Sequence, residues 1–135
     1  MALGATRDAV RRRTEDKVVA LVNAERTKRG LCPLTIDERL RNSARLHSAD
    51  MARRGYFAHQ GPRSPSPIDR MLIQGVENPG GENIAAGQET PASVVAAWMR
   101  SIPHRKNILR ADFRTIGVGL HIASGIPWWT QNFGY

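Results

Sequence analysis

A single cysteine, Cys32, stands in 135 residues, so no disulfide can close within the chain. Lysine is nearly as scarce, with only Lys17, Lys28 and Lys106 against 17 Arg, a bias that GC-rich codon usage alone can produce. Long apolar runs are missing too. Arg, Asp, Glu, Gly or Pro interrupts every stretch short of the roughly 18 residues that a membrane span needs. The start, Met1-Ala-Leu-Gly-Ala-Thr-Arg-Asp8, lacks the apolar segment of a signal peptide, which leaves a cytosolic protein or a trimmed mature domain as the two readings. No internal repeat is present. What remains is a chain with 41% apolar residues, at roughly 100–200 residues per domain one compact unit able to bury a core without staples.

The formal charge is +8, and its distribution is uneven. Met1 to Arg54 holds 13 basic and seven acidic residues, a net +6, whereas Gly55 to Tyr135 holds seven and five, a net +2. Attraction to nucleic acid or to anionic envelope polymers is one reading of this excess. Solvated helix faces are the favoured one, since the bases are interleaved with acids and only Arg11-Arg12-Arg13 form a run.

Along the chain, residues 1–13 are expected to be a flexible or frayed segment ahead of one domain over residues 14–135. Thr14-Glu15-Asp16 reads as a helix N-terminus, with Val18, Leu21 and Val22 as its apolar stripe and Gly30 as its end. A second helix is expected from Asp37 to Arg54, with Leu40, Ala44, His47 and Met51 on its apolar face and Gly55 as its stop. Ser66-Pro67 and Thr90-Pro91 each read as an N-cap followed by proline in the first turn. The first opens a short helix through Met71 and Leu72. The second opens a helix burying Val94, Val95 and Trp98 and closed by Pro103. Between them, Asn78-Pro-Gly-Gly-Glu-Asn-Ile-Ala-Ala-Gly87 predicts a sharp bend around Glu82. Alternation of Ile116, Val118, Leu120 and Ile122 with Thr115, Gly117, Gly119 and His121 predicts a strand, and Trp128 to Phe133 a second, forming a terminal hairpin. The fold class expected is α+β, with helices packed on a sheet.

Loop and bend positions carry function on a rigid scaffold, which singles out His59, Glu82 and His104. Two imidazoles and a carboxylate that converge suit Zn²⁺ or a similar divalent ion with an open position. Each also has a structural reading: His59 capping the preceding helix, Glu82 binding backbone N–H groups of its own bend, and His104 bonding a carbonyl. His47, on the apolar helix face, reads as a core histidine with one satisfied nitrogen, and His121 as facing the opposite side of its strand. Ser64, Ser66 and Ser101 carry no nucleophile-elbow pattern. Trp98, Trp128 and Trp129 read as core rather than as a ligand groove. Cys32 reads as a small buried hydrophobe, and Asn83 and Asn107 as holding bends by side-chain bonds to the backbone.

Five segments in order carry a resemblance: Phe57-Ala-His59, Gly81-Glu82-Asn83-Ile84, Trp98-Met-Arg-Ser-Ile-Pro-His104-Arg-Lys-Asn107-Ile-Leu109, Ile116-Gly-Val-Gly119 and Trp129-Thr-Gln-Asn-Phe133. From about Val18 to Tyr135 the chain resembles the bacterial, SCP-like branch of the CAP superfamily of cysteine-rich secretory, antigen 5 and pathogenesis-related 1 proteins. The resemblance implies a three-layer α-β-α sandwich with a central, mostly antiparallel sheet and a broad surface cleft. It implies that His59 and His104 hold a divalent metal, with zinc the expected cofactor. Glu82 matches the family's Gly-Glu-Asn acid, as catalytic group or as cleft support together with Asn83. The second family acid falls on Ser101, so an acid/base pair needing two carboxylates is incomplete.

The leading expectation is a secreted, monomeric binding module. Its cleft takes a divalent cation and a small apolar or lipid-like ligand or a cell-envelope polymer. Location outside the cell or in its envelope is implied by the resemblance alone, with the cytoplasm as the alternative. A metal-dependent hydrolase with Glu82 activating water is the second reading, and a nucleic-acid binder the third.

Overall fold

The structure, a computed structural model, describes residues 3–135; Met1 and Ala2, part of the expected frayed segment, lie outside the described residues. The first helix, α1 (Leu3–Thr27), begins eleven residues ahead of Thr14. No breaker interrupts Ala5 to Arg13, and Asp8 pairs with Arg11 at 3.0 Å one turn on and with Arg45 at 3.2 Å. Instead of capping a helix start, the Thr14 hydroxyl donates back to Val10 O at 3.0 Å, a bond available only inside a helix.

A two-residue strand β1 (Thr35–Ile36) leads into α2 (Glu38–Arg54). Here the local code holds in full: Asp37 caps the N-terminus by accepting from Arg39 N–H, and Gly55, in the left-handed region at φ 70°, ends the helix. Ser66 caps α3 (Pro67–Ile73), and Thr90 with Ser93 forms a capping box on α4 (Pro91–Met99). Two expectations fail between and after these helices. The segment around Glu82 is not a bend but a strand, β2 (Pro79–Ala86), whose irregularity is confined to the register shift between Pro79 and Gly81. Bare glycines are needed there for packing: a Cβ on Gly80 would lie 2.4 Å from the Phe113 ring. Pro103, rather than closing α4, sits in the first turn of a separate helix, α5 (Ile102–Ile108), where its missing N–H costs no bond.

The chain ends in the expected hairpin, β3 (Thr115–Ala123) and β4 (Ile126–Gly134), turning at Ser124 and Gly125, both at positive φ. The sheet runs β1-β3-β4-β2, with β1 parallel to β3 and the other pairs antiparallel. Helices cover both faces, giving the α-β-α arrangement. On one face α1, α4 and α5 bury Val18, Val22, Val94, Trp98 and Ile108 against Ile116, Val118, Leu120, Trp129 and Phe133. On the other, α2 and α3 add the smaller cluster of Leu40, Met71 and Val76. Each such aliphatic or aromatic side chain contributes about 1.5–3 kcal/mol on burial. Trp98 and Trp129 are core, their indoles donating to Ile84 O and Gln88 O. Cys32, in contrast, is exposed: Arg26, fully buried, draws in the backbone carbonyl of Cys32 and those of Ile108 and Arg110 at 2.8–2.9 Å, and the thiol is left outside.

Candidate functional site

The site forms on β2, an edge of the sheet, because strand alternation sends successive residues to opposite faces. Glu82 points to the α2/α3 side, opposite Asn132, and Asn83 to the α5 side, opposite Gln131. Glu82 is buried, and both of its oxygens are fully engaged. Arg70 of α3 donates to Oε2 at 2.8 Å and to Oε1 at 3.1 Å, Asn132 donates to Oε2 at 2.9 Å, and His59 Nδ1 stands 2.9 Å from Oε1. Burial by itself would raise this carboxyl's pKa, but the His59 bond and the Arg70 ion pair outweigh it and leave the group below its ordinary value, ionised at neutral pH.

An ionised carboxylate only accepts, so the half-exposed His59 ring donates to it from Nδ1, and no hydrogen bond within the described residues occupies Nε2. Arg70 locks this arrangement by also donating to His59 O at 2.6 Å. Behind Glu82 lies His47, 1% exposed, whose Nε2 donates to Ala58 O at 2.8 Å and stands 3.9 Å from Glu82 Oε1. The core reading of His47 holds, yet the same ring also walls the site.

On the other side of the strand, α5 supplies half-buried His104, held by its backbone: Asn83 Nδ2 donates to His104 O at 3.1 Å, and Asn107 donates to Asn83 Oδ1 and to Glu82 O. Asn83 and Asn107 thus do the backbone work expected of them. Burial lowers the His104 pKa, and the neighbouring His59 ring pushes the same way whenever it is protonated. Ser101 is the N-cap position of α5 and makes no side-chain capping bond. The structure therefore brings His59 and Glu82 into direct contact and places His104 across the strand edge. Arg70 and Asn132 went unnoticed from sequence. One signal for Asn132 was available: Thr-Gln-Asn inside an otherwise aromatic strand is a polar run with both faces covered.

Among the described residues, no group of three or more His, Cys, Asp or Glu side chains is arranged to hold a metal ion. Glu82, its four bonds made within the protein, has no lone pair left for a cation.

The buried imidazole makes stability pH-dependent. Burial lowers the His47 pKa from its ordinary 6.5, so the unfolded chain takes up a proton that the folded chain refuses. Its contribution is intact above about pH 6.5 and is lost as pH falls through that value. Glu82, depressed in the fold, adds its own loss at lower pH, below about 4.5. The melting temperature is expected to fall between pH 7 and 5.5, and His47→Gln, which keeps a donor for Ala58 O, should flatten that slope. An identical slope in the variant removes His47 as the cause.

Known proteins resemble the chain in sequence and in fold. The sequence model of the CAP family, described as the cysteine-rich secretory protein family, matches residues 19–133. The Bacillus subtilis (strain 168) protein YkwD is 55% identical over 120 residues, 88% of this chain and 46% of that protein. The membrane protein YlbC of the same organism is 34% identical over 121 residues, 89% of this chain and 34% of that protein. An extracellular protein containing a SCP domain from Bacillus anthracis str. Ames superposes with a TM-score of 0.86 at 31% identity, over 93% of this chain and 41% of that one. An outer surface protein of Borrelia burgdorferi gives 0.79 at 22% identity over 87% of this chain and 88% of that one, a likeness of fold alone. The chain spans less than half the length of the curated relatives it matches. No helix among the described residues is long and apolar enough to cross a membrane.

Proposed function

The chain belongs to the cysteine-rich secretory protein (CAP) family, and we propose that its cleft is a binding site rather than a hydrolytic centre. The observation that carries this reading is the saturation of Glu82. A general base needs a free lone pair and a pKa near the working pH. Glu82 accepts four hydrogen bonds on two oxygens and has a pKa pulled down by His59 and Arg70. Its position suits a different task, fixing the His59 tautomer so that Nε2 faces outward, as carboxylates do behind metal-bound histidines.

On this reading His59 Nε2 and His104 take a divalent cation, zinc being the ion that two neutral imidazoles suit best. With only two protein donors the ion is held loosely and exchanges. Bound there, it would supply a positive centre for an oxygen or nitrogen of a ligand. The exposed Phe57 and Ile102, each two residues before one of the histidines, add apolar surface for a small apolar or cell-envelope ligand. A site of action outside the cell is supported by the likeness to the extracellular Bacillus anthracis protein.

Zinc titration with melting as readout tests the cation. A hundred-fold excess over the dissociation constant should stabilise the protein by about 2.7 kcal/mol, and His59→Ala and His104→Ala should each abolish the gain. No shift in the wild-type protein sinks the cation reading. Hydrolysis of any peptide, ester or glycan substrate that is abolished by Glu82→Gln sinks the binding reading and restores the hydrolase.

A further inference from the structure

A cavity of about 460 Å³ lies between α2, the loop after it and α3. Arg70 and His47 line it and also face Glu82, so they form a wall shared with the cleft, but none of His59, Glu82 and His104 borders it. Four arginines line this space, Arg53, Arg54, Arg63 and Arg70, against one acid, Asp50. That acid is spent locally: Asp50 Oδ2 accepts from Arg54 and Ser64 at 3.2 Å each and from the Tyr56 hydroxyl. Arg53 and Arg63 have no carboxylate partner among the described residues. Asp50 pairs with Arg54 and Glu82 with Arg70, so Arg53 and Arg63 carry the net positive charge of the lining.

Two buried atoms point to what is missing. Arg70 Nε and Ser43 Oγ belong to lining residues that are 9% and 1% exposed, and neither atom has a hydrogen-bond partner. Buried polar groups are nearly always bonded. An arginine Nε–H only donates, and a serine hydroxyl can donate, so the partner that suits both is a hydrogen-bond acceptor. In a cationic cavity that acceptor is an oxyanion. The arginines that line it come from three elements, α2, the loop and α3. A planar carboxylate presents two oxygens in one plane, whereas a tetrahedral phosphate can meet donors from several directions. The space also exceeds a bare ion, and Leu46 and Ile73, 58% and 69% exposed, give its rim an apolar surface for carbon.

We propose that this cavity binds the phosphate group of a small phosphate ester, with Arg53, Arg63 and Arg70 on the phosphate oxygens, Ser43 completing their bonding and the carbon body resting on Leu46 and Ile73. The site is independent of any metal in the cleft. Its link to the cleft is Arg70, whose Nη atoms hold Glu82 and His59 O while Nε serves the cavity.

The test is titration of the metal-free chain with glycerol 3-phosphate, inorganic phosphate and glycerol, followed by calorimetry and by nitrogen-proton spectra that include arginine Nε–H signals. Glycerol 3-phosphate should bind, more tightly than inorganic phosphate, and shift Arg70 Nε–H and the Ser43 amide; glycerol should not bind. Arg53→Glu with Arg63→Glu should weaken binding at least tenfold, and the exposed loop variant Arg63→Gln alone should weaken it measurably if the double variant does not fold. Equal affinity in these variants overturns the proposal. So do binding of glycerol alone, or shifts scattered over Arg11, Arg12 and Arg13 that spare Ser43 and Arg70.

Discussion

Gly119→Ala should remove a large share of the protein's stability. The added Cβ would lie 2.1 Å from Arg45 N, 2.3 Å from Ala44 C and 2.5 Å from Arg45 Cα, all backbone atoms of α2. No side chain can rotate away to relieve this, so the helix itself must retreat from the sheet. Ordinary overpacking costs about 1–3 kcal/mol; moving α2 also stretches the bonds from Ser48 Oγ to Gly119 O and Thr130 Oγ1, each 2.8 Å, and loosens the wall that His47 makes behind Glu82. Against a total stability of about 5–15 kcal/mol, a loss of at least about 3 kcal/mol is expected, with Gly117→Ala similar because its Cβ would meet Arg41 N at 2.1 Å. Gly4→Ala is the control: nothing lies within 4 Å of its Cβ, and alanine should match or improve on glycine in a helix. Denaturant unfolding of the three variants decides the matter. A Gly119→Ala protein within about 1 kcal/mol of wild type would show that α2 does not sit on β3 as described.

Glu15→Ala is expected to be nearly as damaging, for an electrostatic reason. Glu15, fully buried, accepts from Arg41 at 2.9 Å, from Arg45 at 2.6 Å and from the Leu120 backbone N–H at 2.9 Å, joining α1, α2 and β3 through one carboxylate. Removing one partner of a buried pair typically costs about 3–5 kcal/mol, because the other charge stays buried and uncompensated. Arg41, 3% exposed, would keep Asp16 and Glu38, which softens the loss, but the Leu120 N–H would have no acceptor. Glu15→Gln keeps an acceptor for that N–H and should fall between wild type and alanine. If alanine and glutamine variants melt alike and close to wild type, the network contributes nothing and α1 is held by its apolar face and by Arg26.

Both predictions rest on residues whose role was hidden in the sequence. Gly117 and Gly119 were legible as the polar-face positions of an alternating strand, but not as the places where a helix backbone presses on the sheet; strand period carries no information about the opposing layer. By sequence Glu15 reads as a charge in a helix's first turn. It lies mid-helix, since Thr14 bonds back to Val10 instead of capping, and so turns inward where its partners come from residues 26 and 30 positions away. Local signals fared better. The Asp37 and Gly55 ends of α2, the Ser66 and Thr90 caps and the terminal hairpin all appear where their side chains indicate, because each depends on bonds within a few residues. Pro103 misled for the converse reason: a proline tolerated in the first turn of one helix looks the same as one ending another.

At the cleft the division is similar. His59, Glu82 and His104 could be chosen from residue type, position and family likeness. That Glu82 sits in a strand, shares its oxygens among Arg70, Asn132 and His59, and backs onto His47 needed the sheet, which brings together positions up to 50 residues apart. Sequence alone therefore determined the caps at Asp37, Gly55, Ser66 and Thr90, the hairpin, the α+β class and which titratable residues to watch, all set by short-range geometry and by motif. Tertiary structure decided the protonation and the partners of Glu82, since burial and three converging donor residues, not the carboxylate itself, leave it ionised and bonded to His59, Arg70 and Asn132.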